Sequence, residues 1–328
     1  MKARGVLCVG EFRGGKPTPA TFELLSAGLG LAGAKGEPLT LLLIGGPGTA
    51  QAAQALASHG ADRILVIEGP AFSAFLDDAY EAALKPVLLE QGPRALLLPG
   101  SVFGRSLAPR LAVALNAGLA SDAVGLAWDP EGRLVVLRSA YAGSVVAEIL
   151  LKRFPAMATV RPLAFKRAEE CGKKAEIVVL PVSQAASKMT FKGFAAGEAG
   201  EIDLGAADKI VSGGRGLGTP EGFKVSRELA SALGAAVGAS RAAVDAGWIP
   251  YKHQVGLTGR SVRPKLYVAC GISGQIQHLA GMKSGDVIVA INTDPECPMM
   301  KLATLAVQGD LYQVIPALIA EIRRLRGA

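Results

Sequence analysis

The residues best suited to chemistry lie in five short stretches of the C-terminal third. Each stretch combines small or glycine residues with hydroxyl, amide, guanidinium or imidazole groups: Gly213–Thr219, Ser240–Arg241, Gln254–Arg260, Gly271–His278 and Asn292–Asp294. Glycines let successive backbone N–H groups converge on an anion, and an arginine adds a forked donor. The combination favours binding of a phosphate-bearing ligand, although each stretch alone is also typical of an ordinary turn or helix cap.

The stretches share a position as well as a composition. Continuous apolar runs predict strands at Lys209–Ser212, Ala235–Gly238, Leu266–Cys270 and Val287–Asn292, and a polar stretch follows each of them. In an open parallel sheet, ligands bind outside the carboxyl ends of the strands. The five stretches therefore belong to one predicted sheet edge, which favours a large, dinucleotide-like ligand.

The sequence does not support phosphoryl transfer, nucleophilic catalysis or a metal site. Gly10–Pro17 resembles the P-loop pattern, but Pro17 stands where a hydroxyl should hold Mg²⁺, and it lacks an N–H. Gly213–Thr219 does not have the G-x-G-x-x-G spacing of nicotinamide-type sites. There is no G-x-S-x-G elbow, and the three histidines and four cysteines do not cluster. We expect a binding site with no catalytic and no metal-ligating residues.

Composition and charge are those of a globular protein. The chain has 328 residues, of which 50% are hydrophobic, and a chain of this length is expected to form two domains because single cores rarely exceed ~250–300 residues. The net charge of +7 is not gathered into a basic run with interleaved aromatics, so we expect no nucleic-acid partner.

The termini and the cysteines bear on the cellular compartment. No signal-peptide core follows Met1, and the longest apolar runs, such as Leu39–Ile44, fall short of the ~20 residues that span a bilayer. The cysteines are scattered without C-x-x-C spacing, which favours a reducing environment. We expect a cytoplasmic protein that is not embedded in a membrane.

The first half of the chain alternates apolar runs with helical patterns. The runs predict strands at Gly5–Glu11, Leu39–Ile44, Ile64–Glu68 and Ala95–Pro99. The patterns between them predict helices at Ala20–Ala32, Thr49–Ser58, Ala74–Glu90 and Arg105–Leu115. Further strands are predicted at Leu134–Arg138 and Val145–Lys152, as an antiparallel pair, and at Ala158–Arg161 and Ala175–Pro181. This alternation predicts a mainly parallel sheet flanked by helices.

A polar, glycine-bearing stretch at 183–205 separates this half from a second α/β alternation. Besides the strands already named, the second half predicts a strand at Ala303–Val307 and helices at Glu221–Leu233, Arg241–Ala246, Ser273–Ala280 and Leu311–Leu325. We therefore expect an α/β fold with two domains. The N-terminal domain covers residues 1–185, and a linker over 186–207 joins it to a small doubly wound domain over 208–328.

The stretches that carry these polar residues resemble those of a known family. Leu266–Gly281, followed by Ile288–Asn292, looks like the signature of electron transfer flavoprotein alpha subunits. Ser212–Gly216, Ser240–Asp245 and Gln254–Gly259 resemble the same family in the same order. The resemblance is dense over residues 208–314 and weaker over the first half.

The resemblance implies a heterodimer with a beta subunit and FAD held mainly by the C-terminal domain. It implies electrons that arrive from acyl-CoA or other dehydrogenases and leave to a quinone reductase or a ferredoxin-type acceptor. The N-terminal domain would pack against the beta subunit and bind no flavin. The chain would then be an electron carrier and not a substrate-converting enzyme.

The same resemblance assigns the cofactor-binding residues. Those near the flavin ring and phosphates would be Arg215, Ser240, Arg241, Gln254, Val255, Gly256, Leu257 and Thr258. The ribityl and pyrophosphate portion would contact Ser273, Gly274, Gln275, Ile276 and Gln277. His278 would reach the O2 side of the ring, and Asn292 and Asp310 would hold the adenosine end. Arg241 and His278 would both stabilise the negative charge of a reduced flavin.

Some alternatives stay open at this point. A bifurcating form of the family divides NADH electrons between two acceptors with a second flavin in the beta subunit, which this chain alone does not decide. A stand-alone nicotinamide-dependent oxidoreductase is the rival from another class, although its fingerprint is missing. A nucleotide-binding regulatory protein built on Gly10–Pro17 is a further rival. Many relatives carry Gln where this chain has Leu257, which leaves the flavin potential undetermined.

Overall fold

The computed structural model describes residues 3–140, 145–181, 187–193, 204–205, 207–282 and 285–327. The chain forms two compact units, Met1–Phe194 and Ala195–Ala328. Of the polar stretch predicted at 183–205, only residues 187–193 and 204–205 are among those described. No helix in the described ranges is long and apolar enough to cross a membrane.

The N-terminal unit is built on a nine-stranded sheet. Its strands are β1 (Val6–Val9), β4 (Leu39–Gly45), β5 (Arg63–Glu68), β6 (Ala95–Pro99), β7 (Leu119–Trp128), β8 (Leu134–Ala140), β9 (Val145–Leu151), β10 (Ala156–Val160) and β11 (Glu176–Leu180). They lie in the order β11-β5-β4-β1-β6-β10-β7-β8-β9, and all neighbours are parallel except β7-β8 and β8-β9. The mainly parallel sheet is as predicted, and β8 and β9 confirm the antiparallel pair.

Helices cover both faces of this sheet. They are α1 (Pro19–Lys35), α2 (Thr49–Ala53), α3 (Asp77–Gln91) and α4 (Val102–Ala114). Alternate residues of β1 face two separate cores. Cys8 packs with Leu24 of α1, and Leu7 packs with residues of α3 and α4 such as Leu84. Burial on both faces explains why the inner strands are uninterrupted apolar runs.

The P-loop-like stretch Gly10–Pro17 folds as a small hairpin. Its two strands, β2 (Phe12–Arg13) and β3 (Lys16–Pro17), pair antiparallel around Gly14 and Gly15. Both glycines have positive φ, 59° and 73°, as a tight hairpin turn requires. The stretch is therefore a turn in front of α1, and not the strand-loop-helix element of a phosphoryl-transfer enzyme.

The C-terminal unit has a five-stranded sheet in which every pairing is parallel. Its strands are β12 (Lys209–Gly213), β13 (Ala236–Ala239), β14 (Leu266–Cys270), β15 (Val287–Asn292) and β16 (Leu305–Gln308). Its helices are α5 (Phe223–Leu233), α6 (Arg241–Asp245), α7 (Ile276–Leu279), α8 (Pro298–Leu302) and α9 (Leu311–Arg326). The order β13-β12-β14-β15-β16 places the topological switch point between β12 and β14, so the doubly wound prediction is confirmed.

Two buried clusters, one on each face, hold this sheet. Val211 and Val268 pack with Leu229 of α5 and Ile315 of α9. On the other face, Ile210, Tyr267 and Ala269 pack with Met282 and Met299, among others. The helix predicted over Ser273–Ala280 is shorter than expected, since α7 begins only at Ile276 and Gly274 before it has a φ of +84°, outside the helical region.

Candidate functional site

The parallel register brings the carboxyl ends of all five C-terminal strands to one edge. Gly213 at the end of β12 lies opposite Ala239 of β13 and Cys270 of β14. Cys270 lies opposite Ile291, and the next residue of that strand, Asn292, lies opposite Gln308 of β16. The loops that carry the predicted site residues therefore start from a common edge.

Backbone hydrogen bonds join these loops to one another. The N–H of Gly216 donates to the carbonyl of Gly271 at 3.0 Å, which links the loops after β12 and β14. The N–H of Ser240 donates to the carbonyl of Gly213 at 3.0 Å, which adds the loop after β13. The N–H of Leu257 donates to the carbonyl of Gln277 at 2.8 Å, so the 254–260 loop lies against α7.

Glycine is required where the loops after β12 and β14 meet at the switch point. A Cβ on Gly214 would stand 2.3 Å from the carbonyl oxygen of Gly271, and backbone atoms cannot rotate away. Gly271 has a φ of +63°, and its own Cβ would lie 2.8 Å from the Cα of Gly216. The chain thus keeps two loops in backbone contact at the place where open α/β sheets bind ligands.

Ser240 is the clearest sign of a ligand among the predicted residues. It is buried at the start of α6, and its Oγ has no hydrogen-bond partner within the described chain. It does not cap α6 either. Leaving a buried hydroxyl unpaired costs about 1–3 kcal/mol, so an acceptor from outside the chain would satisfy it.

Arg241 and Arg215 are both exposed at this edge. Arg241 Nε lies 3.1 Å from Asp245 Oδ2 in a solvent-facing pair one helical turn away. Arg215 lies two residues after the end of β12, in a short turn of helix over Arg215–Leu217. Both guanidinium groups can therefore face an anionic ligand without first leaving a buried partner.

The hydroxyl of Thr258 is available as a hydrogen-bond donor. The buried Gln254 donates its Nε2 amide to Thr258 Oγ1 at 2.9 Å, and Tyr251 donates its hydroxyl to the Thr258 carbonyl. With its oxygen accepting from Gln254, the Thr258 hydroxyl keeps its own proton for an acceptor in the site. Leu257 beside it is exposed, while Val255 and Gly256 are buried.

His278 is buried in α7, and its burial favours the neutral form of the imidazole. Burial lowers its pKa to about 4, and the backbone of Val255 opposes that shift. Its Nε2 lies 2.9 Å from the hydroxyl of Tyr267, while its Nδ1 is buried without a hydrogen bond of ordinary geometry. At neutral pH the ring acts as a hydrogen-bonding dipole and carries no charge.

The remaining predicted residues fall into an exposed group and a group that holds its own loops. Ser273, Gln275, Ile276 and Gln277 are exposed around the start of α7, and Gly274 is buried. Asn292 donates its Nδ2 to the carbonyl of Ile272 at 3.1 Å, and Asp310 caps α9 by accepting from the N–H of Tyr312 at 2.9 Å. The last two therefore stabilise the edge through contacts within the chain, and any ligand contact would be additional.

Two tyrosines of the site were not anticipated from the sequence. Tyr267 stands beneath it on β14, and Tyr312 donates its hydroxyl to the carbonyl of Leu217 at 2.6 Å. The only signal in the sequence is a phenol inside an otherwise aliphatic strand, Leu266–Cys270. A buried phenol requires a polar partner, which the sequence alone does not identify.

The sheet order, the glycine contacts at the switch point and the unpaired Ser240 hydroxyl define a nucleotide-binding domain of the doubly wound class. Comparison with known proteins identifies the family of both units. Residues 6–185 match the electron transfer flavoprotein domain, and residues 203–283 match the electron transfer flavoprotein FAD-binding domain.

Relatives with curated names match along nearly the whole chain. The electron transfer flavoprotein subunit alpha of Thermoanaerobacterium thermosaccharolyticum is 42% identical over 320 residues, covering 96% of this chain and 97% of that one. The subunit alpha of Bacillus subtilis is 38% identical, with 98% of each chain covered. Protein FixB of Bradyrhizobium diazoefficiens is 38% identical over 95% of this chain and 87% of its own length.

The chain belongs to the electron transfer flavoprotein alpha subunit family, and its cofactor is FAD. The resemblance drawn from the sequence motifs is confirmed. The FAD-binding match ends at residue 283, so it includes the loops after β12, β13 and β14 but not Asn292 or Asp310.

Proposed function

We propose that the chain is the alpha subunit of a heterodimeric electron transfer flavoprotein. It holds FAD at the carboxyl edge of the C-terminal sheet and carries electrons, with no conversion of a substrate of its own. The observation that supports the site most directly is the buried Ser240 hydroxyl without a partner in the described chain. The loops after β12 and β14 meet through the hydrogen bond from Gly216 to Gly271, at the switch point where open α/β sheets bind ligands.

The residues present fit a dinucleotide. When bound, FAD supplies the redox chemistry, and the protein supplies binding, orientation and electrostatics. Ser240 and Ser273 offer hydroxyls to phosphate oxygens, and Arg215 adds positive charge. Arg241 supplies positive charge to the ring. Thr258 can donate its hydroxyl proton to the ligand, because its oxygen already accepts from Gln254. The neutral His278 contributes a hydrogen bond and no charge.

The electron partners follow the family. We propose a beta subunit bound through the N-terminal unit, acyl-CoA or other dehydrogenases as donors, and a quinone reductase or a ferredoxin-type protein as acceptor. An electron-transfer assay of the purified heterodimer distinguishes between these partners. Flavin reduction by a dehydrogenase with its substrate supports the conventional carrier, whereas reduction by NADH with two acceptors indicates the bifurcating form.

A single hydroxyl tests the site. Ser240→Ala removes an unpaired buried polar atom, so the FAD-free chain should be as stable as the wild type or slightly more stable. The same change should weaken FAD binding, by about 10-fold if one hydrogen bond to a charged phosphate is worth ~1.5 kcal/mol. Flavin affinity is read by titration of the heterodimer with FAD, and stability by thermal unfolding.

Ser101→Ala is the matched control in the other unit. Ser101 caps α4 by accepting from the N–H of Gly104 at 3.4 Å. Its loss should cost up to about 1 kcal/mol of stability and leave FAD affinity unchanged. The proposal fails if the heterodimer supplied with FAD shows no visible flavin absorption. The assignment of Ser240 fails if Ser240→Ala binds FAD as tightly as the wild type.

A further inference from the structure

A buried polar cluster lies directly beneath the candidate site. Tyr267 of β14 is fully buried, and it lies opposite Ile210 in the ladder with β12. Ser212, two residues further along β12, lies on the same face of the sheet as Ile210. His278 of α7 contacts Tyr267 on this face, where the buried apolar residues packed together with Tyr267 include Met282. Each polar atom in such surroundings requires a partner.

Tyr267 and His278 supply partners for each other. The Tyr267 hydroxyl lies 2.9 Å from His278 Nε2, and the two rings meet edge to face with centroids 6.1 Å apart. Burial raises the pKa of Tyr267, so the phenol keeps its proton, while the Ser212 hydroxyl beside it pulls that pKa in the opposite direction. A protonated phenol between an imidazole and a serine has one proton to donate.

The direction of donation follows from the other ring nitrogen. The polar group that acts on His278 from the 254–260 loop is the backbone of Val255, which favours a proton on the ring. The Val255 N–H is already donated to the carbonyl of Ala239, which leaves the Val255 carbonyl as the acceptor. An acceptor near the ring favours a protonated ring nitrogen, and since Nε2 faces the Tyr267 hydroxyl at 2.9 Å, a neutral imidazole that accepts from the phenol carries its proton on Nδ1.

We propose that Tyr267 is a positioning residue for the flavin site, whose hydroxyl donates to His278 Nε2 and holds the imidazole as the neutral form protonated at Nδ1. His278 is thereby a hydrogen-bond donor toward its surroundings and not a cation. The inference rests on the proposed function, since the contact of His278 with the flavin is itself part of that proposal.

Nδ1 of His278 has no partner of its own in the described part of the chain. It is buried and makes no hydrogen bond with any described residue. A donor in this state gains free energy when an acceptor with better geometry arrives. A carbonyl oxygen of a flavin ring is such an acceptor, and it accepts more strongly when the ring gains negative charge.

The tautomer of His278 is measured directly by ¹⁵N NMR of the histidine-labelled heterodimer, with and without FAD. We expect Nδ1 to be protonated and Nε2 to be unprotonated from pH 5 to pH 8. In Tyr267→Phe, the Nε2 donor is lost, so the signals should move toward a mixture of tautomers. The flavin reduction potential of the same variant should shift to lower values, because the reduced ring loses a committed donor.

Tyr80→Phe is the matched control, since it also removes a buried tyrosine hydroxyl, one that donates to the carbonyl of Phe72 at 3.1 Å in the N-terminal unit. It should change neither the tautomer nor the potential. A wild-type His278 that is charged, or protonated at Nε2, at pH 7 would overturn the inference even if Tyr267→Phe does not fold. A Tyr267→Phe protein with an unchanged tautomer and potential would also overturn it. Absence of bound FAD with the expected tautomer would refute the proposed function instead.

Discussion

Acid should destabilise the C-terminal unit through His278. The folded protein holds this histidine at a pKa of about 4, below its ordinary value of 6.5, because burial penalises the charged ring. Between these values the unfolded chain binds a proton that the folded chain does not. The free energy of unfolding therefore rises with pH in this window. The contribution is complete above pH 6.5, declines as the pH is lowered toward 4, and is fully lost below pH 4.

The size of the effect follows from the gap between the two pKa values. A gap of about 2.5 units corresponds to ~3 kcal/mol, at 1.36 kcal/mol per unit. About half of that would already be lost near pH 5. Such a loss is large against the 5–15 kcal/mol that stabilises a typical domain. Acid unfolding of this unit should consequently begin before its exposed carboxylates are fully protonated.

Urea unfolding at pH 4, 5, 6 and 7 measures how the free energy of unfolding of the C-terminal unit depends on pH, with the fluorescence of Trp248 as the reporter. Replacing the other tryptophan, Trp128→Phe, confines the fluorescence signal to the C-terminal unit. In this background His278→Gln should flatten the pH dependence between 4 and 6.5 by ~3 kcal/mol. His59→Gln, a buried histidine of the other unit, should leave it unchanged. If His278→Gln kept the wild-type pH dependence, the buried neutral histidine would not be its source.

Four further outcomes follow from the contacts. Gly214→Ala should destabilise the C-terminal unit by more than about 2 kcal/mol in urea unfolding, since its Cβ would overlap a backbone carbonyl. Gly30→Ala, in open space on α1, should stabilise its unit by about 0.5–1 kcal/mol. Glu37→Gln should weaken the pairing with Arg94, whose Nη2 lies 2.9 Å from Glu37 Oε1, and cost about 2 kcal/mol at pH 7 by thermal unfolding. Arg241→Ala should lower the flavin potential in a redox titration, and a wild-type potential would refute that role.

The parallel sheets could be predicted because strands buried on both faces have an unambiguous pattern. Leu39–Ile44 and Ala95–Pro99 are uninterrupted apolar runs, and both are strands within a residue of the predicted bounds. Strand β7, Leu119–Trp128, could not be found in this way. It contains Ser121, Asp122 and Gly125, and its pairing partners β8 and β10 decide its conformation.

The placement of the site could be predicted for a similar reason, since the carboxyl ends of parallel strands must meet at one edge. The protonation states of the site residues could not be predicted from the sequence. Tyr267 and His278 are eleven positions apart in the chain, and their 2.9 Å contact depends on how α7 lies over the sheet. The unpaired state of the Ser240 hydroxyl likewise depends on burial, which a serine at a helix start does not reveal.

The buried and exposed groups of the site therefore have separate physical roles. The pair of Arg241 with Asp245 is exposed, and such pairs contribute only about 0–1 kcal/mol, so Arg241 can turn toward a more negative flavin at little cost. Ser240, Tyr267 and His278 are buried, and a change of partner there costs several times more. Substitutions of the exposed arginine should mainly change the potential and its dependence on salt. Substitutions of the buried groups should change how firmly the flavin is bound, as at Ser240, or which hydrogen bonds its ring can make, as at Tyr267, because solvent cannot replace a buried partner.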